Sequence, residues 1–213
     1  MSAPLLRQRG ATLIIALSLL SVILLLGAAS TSLLMLDEHA ARNHREHVQA
    51  HLAAQAALAD ACEDLMRVRR ITLERFDART GCLPQAESRG LCLGQPTHSG
   101  WQPQQLQQLQ QLHGPQAMTA AYGEFTGRRF GHGADIPAPR YLIERLLPGK
   151  KVAASSSVLY RLLGIGYGRG EAMVALQAVV AWPDADTASA SPPSPPANCP
   201  LLAWRPLLLP ATP

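Results

Sequence analysis

With 213 residues the chain accommodates one domain and an appended segment, rather than two enzyme-sized lobes. Its formal charge of +4 comes from basic side chains scattered along the sequence, and only Arg67, Arg69 and Arg70 approach a cluster. Aromatic residues make up 5% of the chain, and neither an RNA-binding signature nor a helix-turn-helix pattern is present, which argues against direct nucleic-acid binding.

The first element is an uncharged run. Gly10 to Leu36 contains no Asp, Glu, Lys or Arg. At about 1.5 Å per residue a helix of that length exceeds the roughly 30 Å hydrocarbon core of a bilayer. Arg7 and Arg9 precede the run, and Asp37 and Glu38 follow it. The positive-inside rule therefore puts residues 1–10 in the cytoplasm, 11–36 across the membrane and the rest outside, where cysteines meet an oxidising compartment. Three readings of this segment differ in the mature N-terminus. A secretory signal would be cut after Ala29 in Gly27-Ala28-Ala29-Ser30. Against it, apolar character resumes at Leu33 to Leu36 and flows into helix-forming sequence. A plain anchor would keep Met1. The third reading makes Gly10 the last residue of a leader.

The second element continues the first. Residues 37–75 open with a proline-free stretch rich in Ala, Leu, Gln, Glu and Arg, with Val48, Leu52, Ala56, Ala59, Cys62 and Met66 three or four apart. That spacing predicts an amphipathic helix whose buried face carries those six residues.

Residues 76–182 form the body expected outside the membrane. Its first part, 76–137, is rich in Gly, Pro and Ser and contains the glutamine tract WQPQQLQQLQQLHG, where Leu106, Leu109 and Leu112 predict a short helix with one apolar edge. Three strands follow in RYLIERLL, SVLYRLLGI and EAMVALQAVVAW, dense in Val, Ile, Leu and Tyr. The expected class is α+β, with an antiparallel sheet wrapped on the outer half of the long helix. GIGYGRG lies between two predicted strands and has Arg169 where a dinucleotide fingerprint needs its third glycine, so it reads as a hairpin loop. Residues 183–213 form a proline-rich tail, expected to be flexible, although Leu201, Leu202, Trp204 and Leu207 to Leu209 are apolar enough to dock on the sheet.

The 4 cysteines allow three pairings. Cys82 and Cys92 share one glycine-bearing loop and make the favoured pair, leaving Cys62 to meet Cys199. No CxxC spacing supports a metal site. His44, His47 and His51 fall on one helix face and read as a solvated polar surface rather than metal ligands. No nucleophile with a base, no carboxylate pair and no phosphate loop is visible, so the expectation is a non-enzyme without a cofactor.

RQRGATLIIALSLLSVILLLGAAS followed by ARNHREHVQAHLAAQAALADACEDL resembles the start of PilX-type minor pilins of type IV pili. GCLPQAESRGLCLG with Trp101, PRYLIERL and VLYRLLGIGYGRGEAMVALQAVV resemble their cysteine-bearing middle and paired late strands. The resemblance implies a class III leader that prepilin peptidase cuts between Gly10 and Ala11, with methylation of the new amine on Ala11. Thr12 and Ile15 then belong to the assembly segment. Most pilins carry glutamate where this chain has Ile15, a carboxylate thought to pair with a neighbour's N-terminal ammonium; its absence implies a subunit at the pilus tip. The implied partners are minor pilins of the PilV, PilW and FimU type, the major pilin and a tip adhesin. The implied location is the inner membrane, with the body periplasmic, and then the pilus. A type II secretion pseudopilin of the GspK kind is the near alternative, and a secreted disulfide-bonded binding domain is the alternative of another class.

Overall fold

The computed structural model describes residues 11–68, 70–71, 76, 82, 86–94, 117–131, 135–146, 157–170, 172–183 and 198–207. Gly10, the glutamine tract with Trp101, the PGKKVAAS connection and the serine- and proline-rich part of the tail lie outside the described residues.

Helix α1, Ala11–Glu63, is 53 residues long and free of proline. Its hydroxyl side chains bond inside the helix, Ser18 Oγ donating to the Ile15 carbonyl at 2.9 Å and Ser30 Oγ to the Leu26 carbonyl at 2.8 Å. Helical structure had been expected to reach residue 75; the regular helix stops at Glu63 and a π-helical turn, Asp64–Val68, follows it. The chain divides into two units between Arg45 and Glu46. The described side chains of the first unit, which belong to α1, are all exposed. This is the one described helix long and apolar enough to cross a membrane.

The second unit carries the sheet. Its strands are β1 (Leu91–Gly94), β2 (Ala120–Ala121), β3 (Arg140–Leu146), β4 (Ser157–Tyr167), β5 (Met173–Pro183) and β6 (Leu201–Leu207). They lie in the order β1-β3-β4-β5-β6, with β2 also paired to β3. The sheet is mixed rather than antiparallel throughout, because β1 runs parallel to β3, with Leu91 opposite Ile143 and Gly94 opposite Leu146. A parallel neighbour needs a long crossover instead of a tight hairpin, and β1 reaches its edge ahead of the glutamine tract, well before β3 begins. Gly90 sets this edge. With φ of 78° it donates its N–H to the Met118 carbonyl at 2.8 Å and accepts the Ile143 N–H at 2.7 Å.

The pairings β3 with β4 and β4 with β5 are antiparallel. The glycine run between the last two is not a loop along its whole length. Gly164, Ile165, Gly166 and Tyr167 extend β4, and the turn begins only at Gly168, whose N–H donates to the Ala172 carbonyl at 2.8 Å. The tail closes the sheet. Residues Leu201–Leu207 pair antiparallel with β5, with an irregularity between Val179 and Val180, so this part of the tail is ordered strand.

Side chains alternate across the sheet and build two cores. One holds Tyr141, Ile143, Tyr160, Leu162, Leu176 and Val180 with the alanines of α1. The other, on the opposite face, holds Leu142, Leu163, Ile165, Tyr167 and Ala175.

Candidate assembly surface

The part of α1 inside the second unit has two unlike faces. Ala50, Ala53, Ala54, Ala57 and Ala61 are buried, with Leu58, Cys62 and Leu65 beside them. Strand β4 explains why this face is small. A Cβ on Gly164 would stand 2.5 Å from the Ala54 carbonyl oxygen, and one on Gly168 would stand 2.5 Å from the Glu46 carbonyl oxygen. One on Gly166, between them, would overlap the Ala50 oxygen and the Ala54 nitrogen. Gly164 and Gly166 in β4, with Gly168 at the start of the turn, therefore bare one face of the backbone, and the helix lies against it mainly through alanines, with Leu58 beside Gly164.

The face expected to be buried is mostly the other one. Val48 is 42% exposed and Leu52 58% exposed, Ala59 is exposed and Ala56 half-buried; only Cys62 is fully buried, with Met66 packed partly against the core. Spacing correctly indicates a stripe of apolar residues but does not say which surface covers it. The signal that identifies the buried face lies in β4, in glycines two residues apart.

Polar groups pin the helix end. Asp60, fully buried, accepts the Gly123 N–H at 2.7 Å and the Thr126 hydroxyl at 2.5 Å. One turn later, Asp64 accepts two bonds from Arg70, from Nε at 2.8 Å and Nη2 at 2.5 Å, and one from the Tyr141 hydroxyl at 2.8 Å. Arg70 also donates to the Glu87 and Arg89 carbonyls, both at 3.1 Å, and its guanidinium lies 3.5 Å from the Phe125 ring centre. Burial pushes the Asp64 carboxyl above the usual carboxylate range, against the opposing pull of Arg70 and Tyr141. Burial, then the charge of Asp64, pushes the Tyr141 phenol far up. The apparent basic cluster is thus dispersed. Arg70 is buried in an ion pair, Arg67 pairs with Glu63 at 3.4 Å on the surface, and Arg69 lies outside the described residues.

Two disulfides are present, Cys82–Cys92 and Cys62–Cys199. Cys92 belongs to the core on the sheet face away from α1, and Cys62 to the core beneath it. His44 and His47 are exposed and His51 half-buried, and no group of three or more metal-ligating side chains occurs among the described residues.

Of the residues singled out for processing and assembly, Gly10 lies outside the described residues, Ala11 is the first residue of α1, and Thr12 and Ile15 are exposed in its opening turns, Ile15 by 57%. Of the tail residues named as apolar enough to dock, Leu201, Leu202 and Trp204 join the sheet through the β6 ladder yet keep their side chains exposed, and Leu208 and Leu209 lie outside the described residues. No family model, no curated protein and no solved structure matches the chain.

Proposed function

We propose that this chain is a membrane-anchored subunit of an assembled filament, a minor pilin of the PilX type, cut between Gly10 and Ala11 by prepilin peptidase and methylated on Ala11. The observation that carries the reading is the double character of α1. Its second part leaves Val48 and Leu52 in solvent while burying alanines, and its first part is apolar on every side. A helix that already has a sheet on one face, and still carries aliphatic side chains on the other, is suited to packing among other helices. Segment 11–36 holds the precursor in the inner membrane, with residues 37–213 on the periplasmic side. In the filament the same helix exchanges lipid for neighbouring subunits. The work is assembly and involves no catalysis.

Ile15 narrows the role. A buried N-terminal ammonium needs an anion close by. This subunit has no carboxylate at that position to offer one, but its own amine can still meet a neighbour's glutamate. That is the requirement on a subunit with nothing ahead of it, at the tip, in a priming complex with other minor pilins of the PilV, PilW and FimU type, the major pilin and a tip adhesin. The N-terminal sequence of the membrane-extracted protein tests the processing step. The expected start is methylated Ala11, whereas a start at Ser30 or an intact Met1 would overturn the reading.

A further inference from the structure

Strand β6 covers the edge of β5 while burying almost none of itself. Every residue from Leu201 to Pro206 is exposed, with Leu202 at 63% and Trp204 at 58%. Side-chain packing therefore contributes little to holding it, apart from Leu207 at its far end, which packs partly against the core on the sheet face away from α1. At the Cys199 end the strand is held by the ladder to β5, a local bond from the Leu201 N–H to the Cys199 carbonyl at 2.9 Å, and the disulfide from Cys199 to Cys62 in the helix core.

The two strands differ as edges. β5, MVALQAVVAWP, has no charged residue and no proline before its last position, and Val174, Leu176, Ala178 and Val180 are buried on its helix side. Left uncovered, it would be a long, uncharged strand edge, the kind that pairs with other chains. β6 carries Arg205 and Pro206, a charge and a missing backbone donor, both of which make an edge less receptive.

We propose that β6 is a guard strand latched by Cys62–Cys199, and that a dithiol reductant opens the latch and uncovers the edge of β5. The chemistry has a direction because the two sulfurs differ in access. Cys62 is buried and Cys199 only half-buried. A reductant thiolate attacks the Cys199 sulfur and forms a mixed disulfide, and Cys62 leaves as a thiolate and takes up a proton. The second thiol of the reductant, deprotonated, attacks its own sulfur in that mixed disulfide. Cys199 is released as a thiolate and protonated, and the reductant is left oxidised. The cut bond had closed a separation of 137 residues, so its loss frees the strand from the helix while Cys82–Cys92, with a separation of 10, stays within the body. This inference is independent of the filament reading and would hold for any function of the second unit.

The test uses the full chain in detergent micelles. Amide hydrogen exchange is compared between the parent and the Cys62→Ser, Cys199→Ser double variant, with Cys82–Cys92 verified intact by mass spectrometry. The amides of β6 and those of β5 that face it should exchange at least ~10-fold faster, with β3 and the β4 side of β5 unchanged. Unchanged protection in β6, uniform loss across the sheet, or a double variant that does not fold would each overturn the latch. A second measurement needs no variant. The parent is reduced by a monothiol under native conditions and trapped, and the adduct should sit on Cys199. An adduct on Cys62, or no reduction without denaturant, would overturn the direction of attack and the latch respectively.

Discussion

The two faces of α1 beyond Glu46 are built from opposite materials. One is mostly alanine, with Leu58 and Cys62 among them, and is covered; the other carries Val48 and Leu52 and stays in solvent. Hydrophobic burial per residue would favour the reverse arrangement, since a buried leucine contributes about 1.5–3 kcal/mol that a buried alanine cannot. Close approach decides instead. Gly164, Gly166 and Gly168 let two backbones meet directly, and dispersion across that seam grows with the number of atoms brought into contact. The difference teaches that the larger aliphatic stripe is free for something other than this chain's own core.

The largest expected effect comes from disturbing the seam. Gly166→Val places branched atoms where even a Cβ overlaps the Ala50 and Ala54 backbone, and should cost more than about 3 kcal/mol, read as a collapse of the urea midpoint. A midpoint shifted by less than a third of that would mean that the seam opens easily and the comparison is weaker than drawn. Next comes the pin beside it. Asp64→Ala leaves the Arg70 guanidinium buried without its carboxylate and should cost about 3–5 kcal/mol, whereas Glu38→Ala, which breaks an exposed pair with Arg42, should cost less than about 0.5 kcal/mol.

The face of the sheet away from α1 supplies a pH test. Burial pushes the Tyr167 phenol up to about 12, partly offset by Arg140. A group raised in the folded state contributes stability that is whole below its unfolded value, about 10 for tyrosine, and is lost as pH climbs through the folded value. Stability by urea titration should therefore fall between about pH 10 and 12, and Tyr167→Phe should remove up to about 1.4 kcal/mol per pH unit of that slope. An unchanged slope in the variant would show that the phenol is not held in the core as described.

The smallest effect on stability belongs to the exposed stripe. Val48→Ser with Leu52→Ser should change stability in a urea titration by less than about 0.5 kcal/mol and, on the proposed pilin reading, reduce recovery of the subunit in sheared pili several-fold. A large loss of stability would place these side chains in a core, against their exposure. Ile15→Glu should likewise leave cleavage intact while changing pilus number or composition; no change in either would count against the tip position.

Much of this architecture is legible in the sequence because it depends on local pattern. The proline-free run that forms α1, and the Val, Ile, Leu and Tyr content of β3, β4 and β5, indicate the right element types near the right places. Features set by distant partners are not legible in the same way. Apolar spacing along the helix cannot tell a covered stripe from a free one, which is why Val48 and Leu52 read as core. GIGYGRG reads as a loop because glycine is a poor strand former by itself, and its use in β4 depends on a helix more than a hundred residues earlier in the chain. The parallel pairing of the short β1 leaves no periodic signal. β6 is hidden by the prolines around it, because an edge strand tolerates proline where a central one does not. Of the six residues read as one buried face, Cys62 is buried and Ala56 and Met66 partly so, while Val48, Leu52 and Ala59 are exposed.

The central claim is that the Val48–Leu52 stripe meets another helix. The direct measurement is photo-crosslinking in cells, with a photoreactive phenylalanine analogue at position 52 and, as a control, at exposed position 169 in the β4–β5 turn. On the proposed pilin reading, the account predicts a discrete adduct with a neighbouring subunit from position 52 and none from 169. No adduct at 52, in cells where the protein is processed and assembled pili are present, would contradict it.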